Sequence, residues 1–130
     1  MKNEELVLAA TEARKNAYAP FSKFQVGAAI QTNSGRVFVG CNVENSSYGL
    51  SICAERMAIG AMIVAGEKEI QSVVVCASPW ANPCGACRQV LIEFGTEFEV
   101  IAVDASTLVE VRRAKMKDLL PDHFSLEHPQ

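Results

Sequence analysis

Between Cys53 and Val103 the chain alternates twice between a helical segment and a short apolar run, and this alternation limits the fold more than any other feature. Cys53 to Ala65 has helical composition and stops at Gly66, Ser72 to Ala77 is β-branched, Cys84 to Phe94 is again helical, and Phe98 to Val103 is again strand-like. Upstream, Gln25 to Thr32 and Arg36 to Val43 are strand-like runs joined by Asn33-Ser34-Gly35, a connection that makes a hairpin. Before them, Leu6, Ala9, Ala10, Ala13 and Ala17 recur at helical spacing, which predicts an amphipathic helix from Asn3 to Ala17. Asn3 is its cap candidate, and Pro20 ends it. Ser51 is the cap candidate for the helix after Cys53. A weaker strand near Val109 to Arg113 and a short helix from Met116 to Leu120, closed by Pro121, complete the order. A helix, a hairpin, and then helices and strands in alternation predict a mixed sheet with helices on both faces.

At 130 residues the chain suits one compact core, so a single domain over 1–130 is expected. Apolar residues make up 49% and charged residues 21%, the balance of a folded protein. The formal charge of -3 and the lack of a dense basic run argue against a polyanion partner; Arg112-Arg113 and Lys115-Met116-Lys117 read as a solvated face. No run reaches about 18 apolar residues, and the start Met1-Lys2-Asn3-Glu4-Glu5 lacks the apolar stretch of a secretory signal, so the expected address is the cytoplasm. The five cysteines, Cys41, Cys53, Cys76, Cys84 and Cys87, are then thiols or metal ligands rather than disulfide partners.

Cys84-Gly-Ala-Cys87 lies where a loop becomes a helix, and Cys53-Ala-Glu55 opens the other central helix. Unpaired N–H groups and the helix dipole stabilise thiolates at both places. Zinc, redox and accidental readings compete for an isolated C-x-x-C. Joined to Cys-Ala-Glu about thirty residues upstream, with Pro83 before Cys84, it matches the zinc deaminase signature in an all-cysteine form. Three thiolates leave one corner of a tetrahedral ion for water, whereas a structural zinc site is closed by four protein ligands. Zinc brings the pKa of such a water to about 7, and Glu55, two residues from a ligand, is placed to take its proton. Zinc with three thiolates is formally minus one; Arg56, hydrogen-bonded to a ligand sulfur, would offset that charge.

Most of the chain resembles the small homotetrameric cytidine deaminase family. The likeness is carried by Tyr18-Ala-Pro-Phe-Ser-Lys-Phe-Gln-Val-Gly-Ala-Ala29, Gly40-Cys-Asn-Val-Glu-Asn45, Tyr48-Gly-Leu-Ser-Ile-Cys-Ala-Glu-Arg56, Pro83-Cys-Gly-Ala-Cys-Arg-Gln89 and the closing Leu119-Leu-Pro-Asp-His-Phe124. The resemblance implies a three-layer α/β/α fold with a five-stranded mixed sheet. It also implies one zinc ion per subunit on Cys53, Cys84 and Cys87, with Glu55 as proton shuttle. By the same likeness, Asn42 and Glu44 hold the ribose 3′-hydroxyl, Phe24 contacts the pyrimidine and the Ala54 N–H meets the base carbonyl. Ser46, Tyr48 and Phe124 complete a neighbouring subunit's pocket. The implied reaction is deamination of cytidine or deoxycytidine to uridine or deoxyuridine in pyrimidine salvage. The loop Ser78-Pro-Trp-Ala-Asn-Pro83 is short against the family pattern and the segment after Asp104 is compact, which bears on the pocket rim.

Plainer readings stand beside these. Cys41 and Cys76 fall in predicted strands and suit small buried hydrophobes. His123 and His128 sit in a polar context without other ligands. Phe24 and Phe124 suit a core, Asn42 and Glu44 suit a turn, and Trp80 suits either a loop or a pocket wall. Three rival functions remain: a thioredoxin-like redox protein using Cys84 and Cys87, a closed structural zinc module, and a deaminase of another aminated nucleoside such as a cytosine-bearing antibiotic. Editing of polynucleotides is disfavoured by the charge balance.

Overall fold

The computed structural model describes residues 2–126. His128, one of the two histidines considered above, lies outside them. In chain order the elements are α1 (Lys2–Arg14), β1 (Val26–Thr32), β2 (Val37–Cys41), α2 (Ala54–Val64), β3 (Ile70–Ala77), α3 (Gly85–Ile92), β4 (Glu99–Asp104), β5 (Val109–Lys115) and α4 (Met116–Leu119). A 3-10 turn, Tyr48–Leu50, lies between β2 and α2. The strands form one mixed five-stranded sheet in the order β2-β1-β3-β4-β5. Strands β3 and β4 are parallel, as their crossover through α3 requires, and the other neighbours are antiparallel.

Period-2 alternation along the central strands sorts their side chains into two cores. Ile30, Val73, Val75 and Val100 pack under Ala58, Ile59, Met62 and Leu91 of α2 and α3. On the other face Ala29, Val74, Cys76, Ile101 and Val103 pack under Leu6 and Ala10 of α1. The sheet therefore lies between helical layers, giving the expected α/β/α order.

One consequence of this topology positions everything that follows. Because β1 is antiparallel to both β2 and β3, those two strands run in the same direction; Cys41 and Cys76, near their ends, both pair with Gly27. Each strand then leads towards a helix, β2 to α2 and β3 to α3. Both helix N-termini therefore open at one edge of the sheet, the edge where doubly wound folds place ligands.

Three sequence expectations shift at the ends of elements. Asn3 does not cap α1, because the helix already includes Lys2, and α1 stops at Arg14 rather than Ala17. Its last residues tighten into i→i+3 turns, with Asn16 N–H donating to Ala13 O and Ala17 N–H to Arg14 O. Ser51 does not cap α2; Cys53 occupies that position, and the Ser51 hydroxyl accepts from the Asn45 N–H at 3.1 Å. The helix begins directly after the cysteine, which holds the N-cap position without a side-chain cap bond.

Gly40 sets how closely α2 lies on β2. A Cβ there would stand 2.4 Å from Ala54 O and 2.6 Å from Ala58 N, both backbone atoms of α2. Gly40→Ala should therefore push α2 outward and cost about 1–3 kcal/mol, read as a lowered midpoint in urea unfolding; an unchanged midpoint would show that the interface yields without cost.

Candidate active site

The two helix N-termini bring three sulfurs together. The Sγ atoms of Cys53, Cys84 and Cys87 all lie within 4.8 Å of one another, with Cys53 and Cys84 3.9 Å apart. Tetrahedral zinc with bonds near 2.3 Å would hold its sulfurs about 3.8 Å apart, so the spacing and the all-thiol donor set fit that ion. Cys84 caps α3, its sulfur accepting from the Cys87 N–H at 3.5 Å, while Cys53 holds the N-cap position of α2 with no side-chain cap bond. Cys41 and Cys76 stay in β2 and β3 outside this cluster; Cys76 is buried in the α1-side core.

The electrostatics of the cluster call for a cation. The Cys53 thiol is brought down to about 5, first by its contact with Cys87 and then by Arg56. Cys87 moves the opposite way, pushed up chiefly by Cys53 and by burial. Ionising Cys53 therefore suppresses ionisation of Cys87, and added positive charge favours both as thiolates. Arg56 supplies part of it: one terminal nitrogen reaches Cys53 Sγ at 3.8 Å and Ser51 O at 3.3 Å, while its buried Nε has no hydrogen-bond partner among the described residues.

Glu55 sits in the first turn of α2 with only 4% of its surface exposed. Burial raises its carboxyl above the usual range, and the charge of Cys53 adds to the rise. An acid held beside a sulfur cluster with heightened proton affinity is equipped to take up and return protons.

In front of the sulfurs lies a cavity of about 280 Å³ whose walls include Phe24, Asn42, Glu44, Ala54, Glu55 and Asn82. Asn42-Val43-Glu44 is held like a strand: Tyr18 N–H donates to Asn42 O, Glu44 N–H to Tyr18 O, and Val43 exchanges bonds with Ile52. Asn42 and Glu44 thus share a face. Both also tie down the segment before β1. Asn42 accepts from Val26 N–H at 2.9 Å and donates to Phe24 O at 2.8 Å, and Glu44 accepts from the N–H groups of Phe21 and Ser22. Ser22 also donates its hydroxyl to Glu44, and these bonds hold the Glu44 carboxyl below its usual range. The turn role considered for this pair is real, and it coexists with a place in the cavity wall.

A second cavity, about 450 Å³, adjoins the first and shares Ser22, Asn42, Glu44 and Cys53 with it. Tyr48 stands at its edge, packed edge-on against Phe21 with ring centroids 6.4 Å apart. Ser46 is exposed and lines neither cavity, and Trp80 likewise. Phe124 lies elsewhere, exposed, with Gln89 donating to its carbonyl at 3.1 Å. Ser46, Tyr48 and Phe124 do not converge on the sulfurs within one chain. His123 lies beside Phe124 and apart from the cluster.

Two residues escaped the sequence reading. Arg88, next to Cys87, donates to Pro83 O at 2.8 Å and to Leu119 O at 2.9 Å, clamping the loop before Cys84 to the end of α4. Its place in the Cys-Arg-Gln run was the available signal. Ser22 is the other, and its place in the Tyr18-to-Ala29 block that carries the family likeness was the available signal.

The family model for the cytidine and deoxycytidylate deaminase zinc-binding region matches residues 1–103. The chain belongs to that family. The match spans the cluster, so zinc is its metal and the three sulfurs are the donors able to hold it. Among solved structures, cytidine deaminase from Burkholderia pseudomallei superposes with a TM-score of 0.88 at 46% identity, covering 95% of this chain and 100% of that one. Cytidine deaminase from Mycobacterium tuberculosis is 42% identical over 91% of this chain and 86% of its own length. That of Sporosarcina psychrophila is 36% identical over 98% and 94%. Family membership and the third sulfur together set aside the thioredoxin-like reading, which leaves Cys53 without a role.

Removing a donor should empty the family's zinc site. Cys53→Ala, Cys84→Ala and Cys87→Ala should each purify with far less than one zinc per chain, while Cys41→Ala keeps its full complement. Elemental analysis decides it; stoichiometric zinc in all three variants would rule out this ligand set.

Proposed function

We propose that the chain deaminates cytidine and deoxycytidine hydrolytically, yielding uridine or deoxyuridine and ammonia. The observation that carries this reading is the buried Glu55 carboxylate beside a three-thiol cluster at the base of a nucleoside-sized cavity. Cys53, Cys84 and Cys87 hold the zinc. When bound, the ion supplies the Lewis acidity that lets water act as a nucleophile near neutral pH. Glu55 accepts a proton from the attacking water and passes it to N3 of the pyrimidine; it then takes the remaining proton of the hydroxyl added at C4 and delivers it to the amine, so that the C4 carbonyl forms as the C4–N bond breaks and ammonia leaves. Burial suits it to this exchange by keeping proton affinity high on a group that solvent does not reach.

The cavity walls orient the substrate. Phe24 lies against the pyrimidine, and the Ala54 N–H, one of the helix N-terminal amides without an intrahelical partner, donates to the base carbonyl. Asn42 and Glu44 grip the ribose 3′-hydroxyl, the ionised Glu44 accepting its proton. Arg56 offsets the charge of the thiolates. The chain acts as one catalytic domain over 1–130 in the cytoplasm, in pyrimidine salvage. Among the described residues no helix is long and apolar enough to cross a membrane.

The active unit is a homotetramer in which Ser46, Tyr48 and Phe124 complete a neighbour's pocket. The support is exposed apolar surface: Val64 on the outer face of α2 is 90% exposed, Tyr48 79% and Phe124 67%, a pattern that association would cover.

Glu55→Gln should retain zinc and lose at least about 10²–10⁴ in kcat in a spectrophotometric assay over cytidine, deoxycytidine, adenosine and cytosine-bearing antibiotic nucleosides. Near-normal turnover in that variant, or no turnover of any nucleoside by the parent protein, would refute the assignment. Val64→Asp should shift sedimentation towards smaller species and reduce activity with them; a fully active monomer would remove the shared-pocket account.

A further inference from the structure

The Ser22 hydroxyl occupies an unusual position between the two halves of the cavity. It donates to Glu44 Oε2 and accepts from the Phe24 N–H at 3.0 Å. A hydroxyl has one proton to give and lone pairs to receive, so one oxygen atom joins the carboxylate on one wall to the backbone of the aromatic residue on another. The residue between them, Lys23, is held at φ 64°, a left-handed conformation that a side chain other than glycine adopts only when its surroundings impose it. The Ser22–Phe24 bond spans that residue and imposes it. Asn42 secures the far side by donating to Phe24 O. Ser22 also lines both cavities.

We propose that Ser22 is a positioning residue for the nucleoside: its hydroxyl sets the separation between the sugar-binding carboxylate of Glu44 and the base-contacting ring of Phe24. This rests on the reading of Glu44 and Phe24 given above and adds a residue to which no role has been assigned. The physical content is a coupling. Without the hydroxyl, Glu44 loses one of three donors and is free to turn about the two backbone N–H groups that remain, while Phe24 N–H loses its acceptor and Lys23 is released from its strained conformation. Sugar and base contacts would then be met one at a time rather than together, a loss that falls on binding. Neither the sulfurs nor Glu55 bonds to Ser22, so the chemical step and the zinc site are left as they were.

The test uses the zinc-loaded, assembled protein and the variants Ser22→Ala, Ser22→Thr and Glu44→Ala, with cytidine and 3′-deoxycytidine as substrates. Ser22→Ala should raise the KM for cytidine roughly ten-fold, the scale of one hydrogen bond to a charged group, with kcat within about two-fold and zinc content unchanged. Ser22→Thr, which keeps the hydroxyl, should restore KM. With 3′-deoxycytidine, whose sugar offers Glu44 no 3′-hydroxyl, Ser22→Ala should have a much smaller effect, and in a Glu44→Ala background it should add little. A wild-type KM in Ser22→Ala, or an equal penalty on both substrates, would overturn the positioning role while leaving the Glu44 reading intact. A Glu44→Ala variant with unchanged KM would sink the sugar-binding reading and this inference with it.

Discussion

Three thiols gathered within 4.8 Å of one another at the starts of two helices are the constraint on which the rest of this structure depends. Cys53 is drawn down and Cys87 pushed up because the Cys87 thiol hydrogen-bonds to the Cys53 sulfur, a contact that favours the thiolate at Cys53 and the protonated thiol at Cys87. A divalent cation removes that conflict, and its binding energy becomes part of the stability of the folded chain. The helices are well suited to this, since each presents unpaired N–H groups and the positive end of its dipole to the sulfurs. The sheet makes the meeting compulsory: β2 and β3 run the same way, so the helices that follow them start at the same edge.

The glycines flanking that edge show how little slack the arrangement has. Gly40 lets β2 touch the first turn of α2, and Gly27 lets β1 lie against α1, where an added Cβ would stand 2.0 Å from Ala10 O. Cys53 and Glu55 are thereby placed by backbone contact with the sheet rather than by loop conformation. The cavity wall is placed differently: Phe24 depends on the segment before β1, which hangs from Asn42, Glu44 and Ser22. The sulfurs and Glu55 stand on rigid elements and the facing cavity wall on a tied loop, a division that lets the wall change without disturbing the sulfur cluster.

Much of this was legible in the sequence, for reasons that can be named. The strand–helix alternation after Cys53 specifies parallel β3 and β4, and cysteines at helix starts announce their own orientation, so the cluster follows from local patterns combined with a topology rule. Element ends were less legible. Ser51 is the better cap by residue type, but its hydroxyl is taken by the Asn45 N–H and α2 starts two residues later, after Cys53, a tertiary arrangement that overrides local preference. The role of Ser22 was illegible for a different reason: its bond to Glu44 joins residues 22 positions apart and exists only once Tyr18 has paired with Val43. Arg88 is similar, since one of its acceptors, Leu119, is 31 residues away.

Under the proposed sugar contact, the loop-holding bonds of Asn42 and Glu44 bear on how this pocket distinguishes ligands. A side chain that served the sugar alone would be free to relax around any ligand. Here each is already committed to backbone groups, Asn42 through both ends of its amide and Glu44 through both oxygens. What remains for a sugar hydroxyl is the lone-pair direction those bonds leave open, which is fixed in advance of binding. Preorganisation of this kind reduces the entropy lost when the correct ligand binds and leaves a ligand of different shape without a partner to move towards it. The same bonds that fold the loop therefore select what the loop admits, so a substitution that loosens the loop should broaden specificity before it abolishes chemistry.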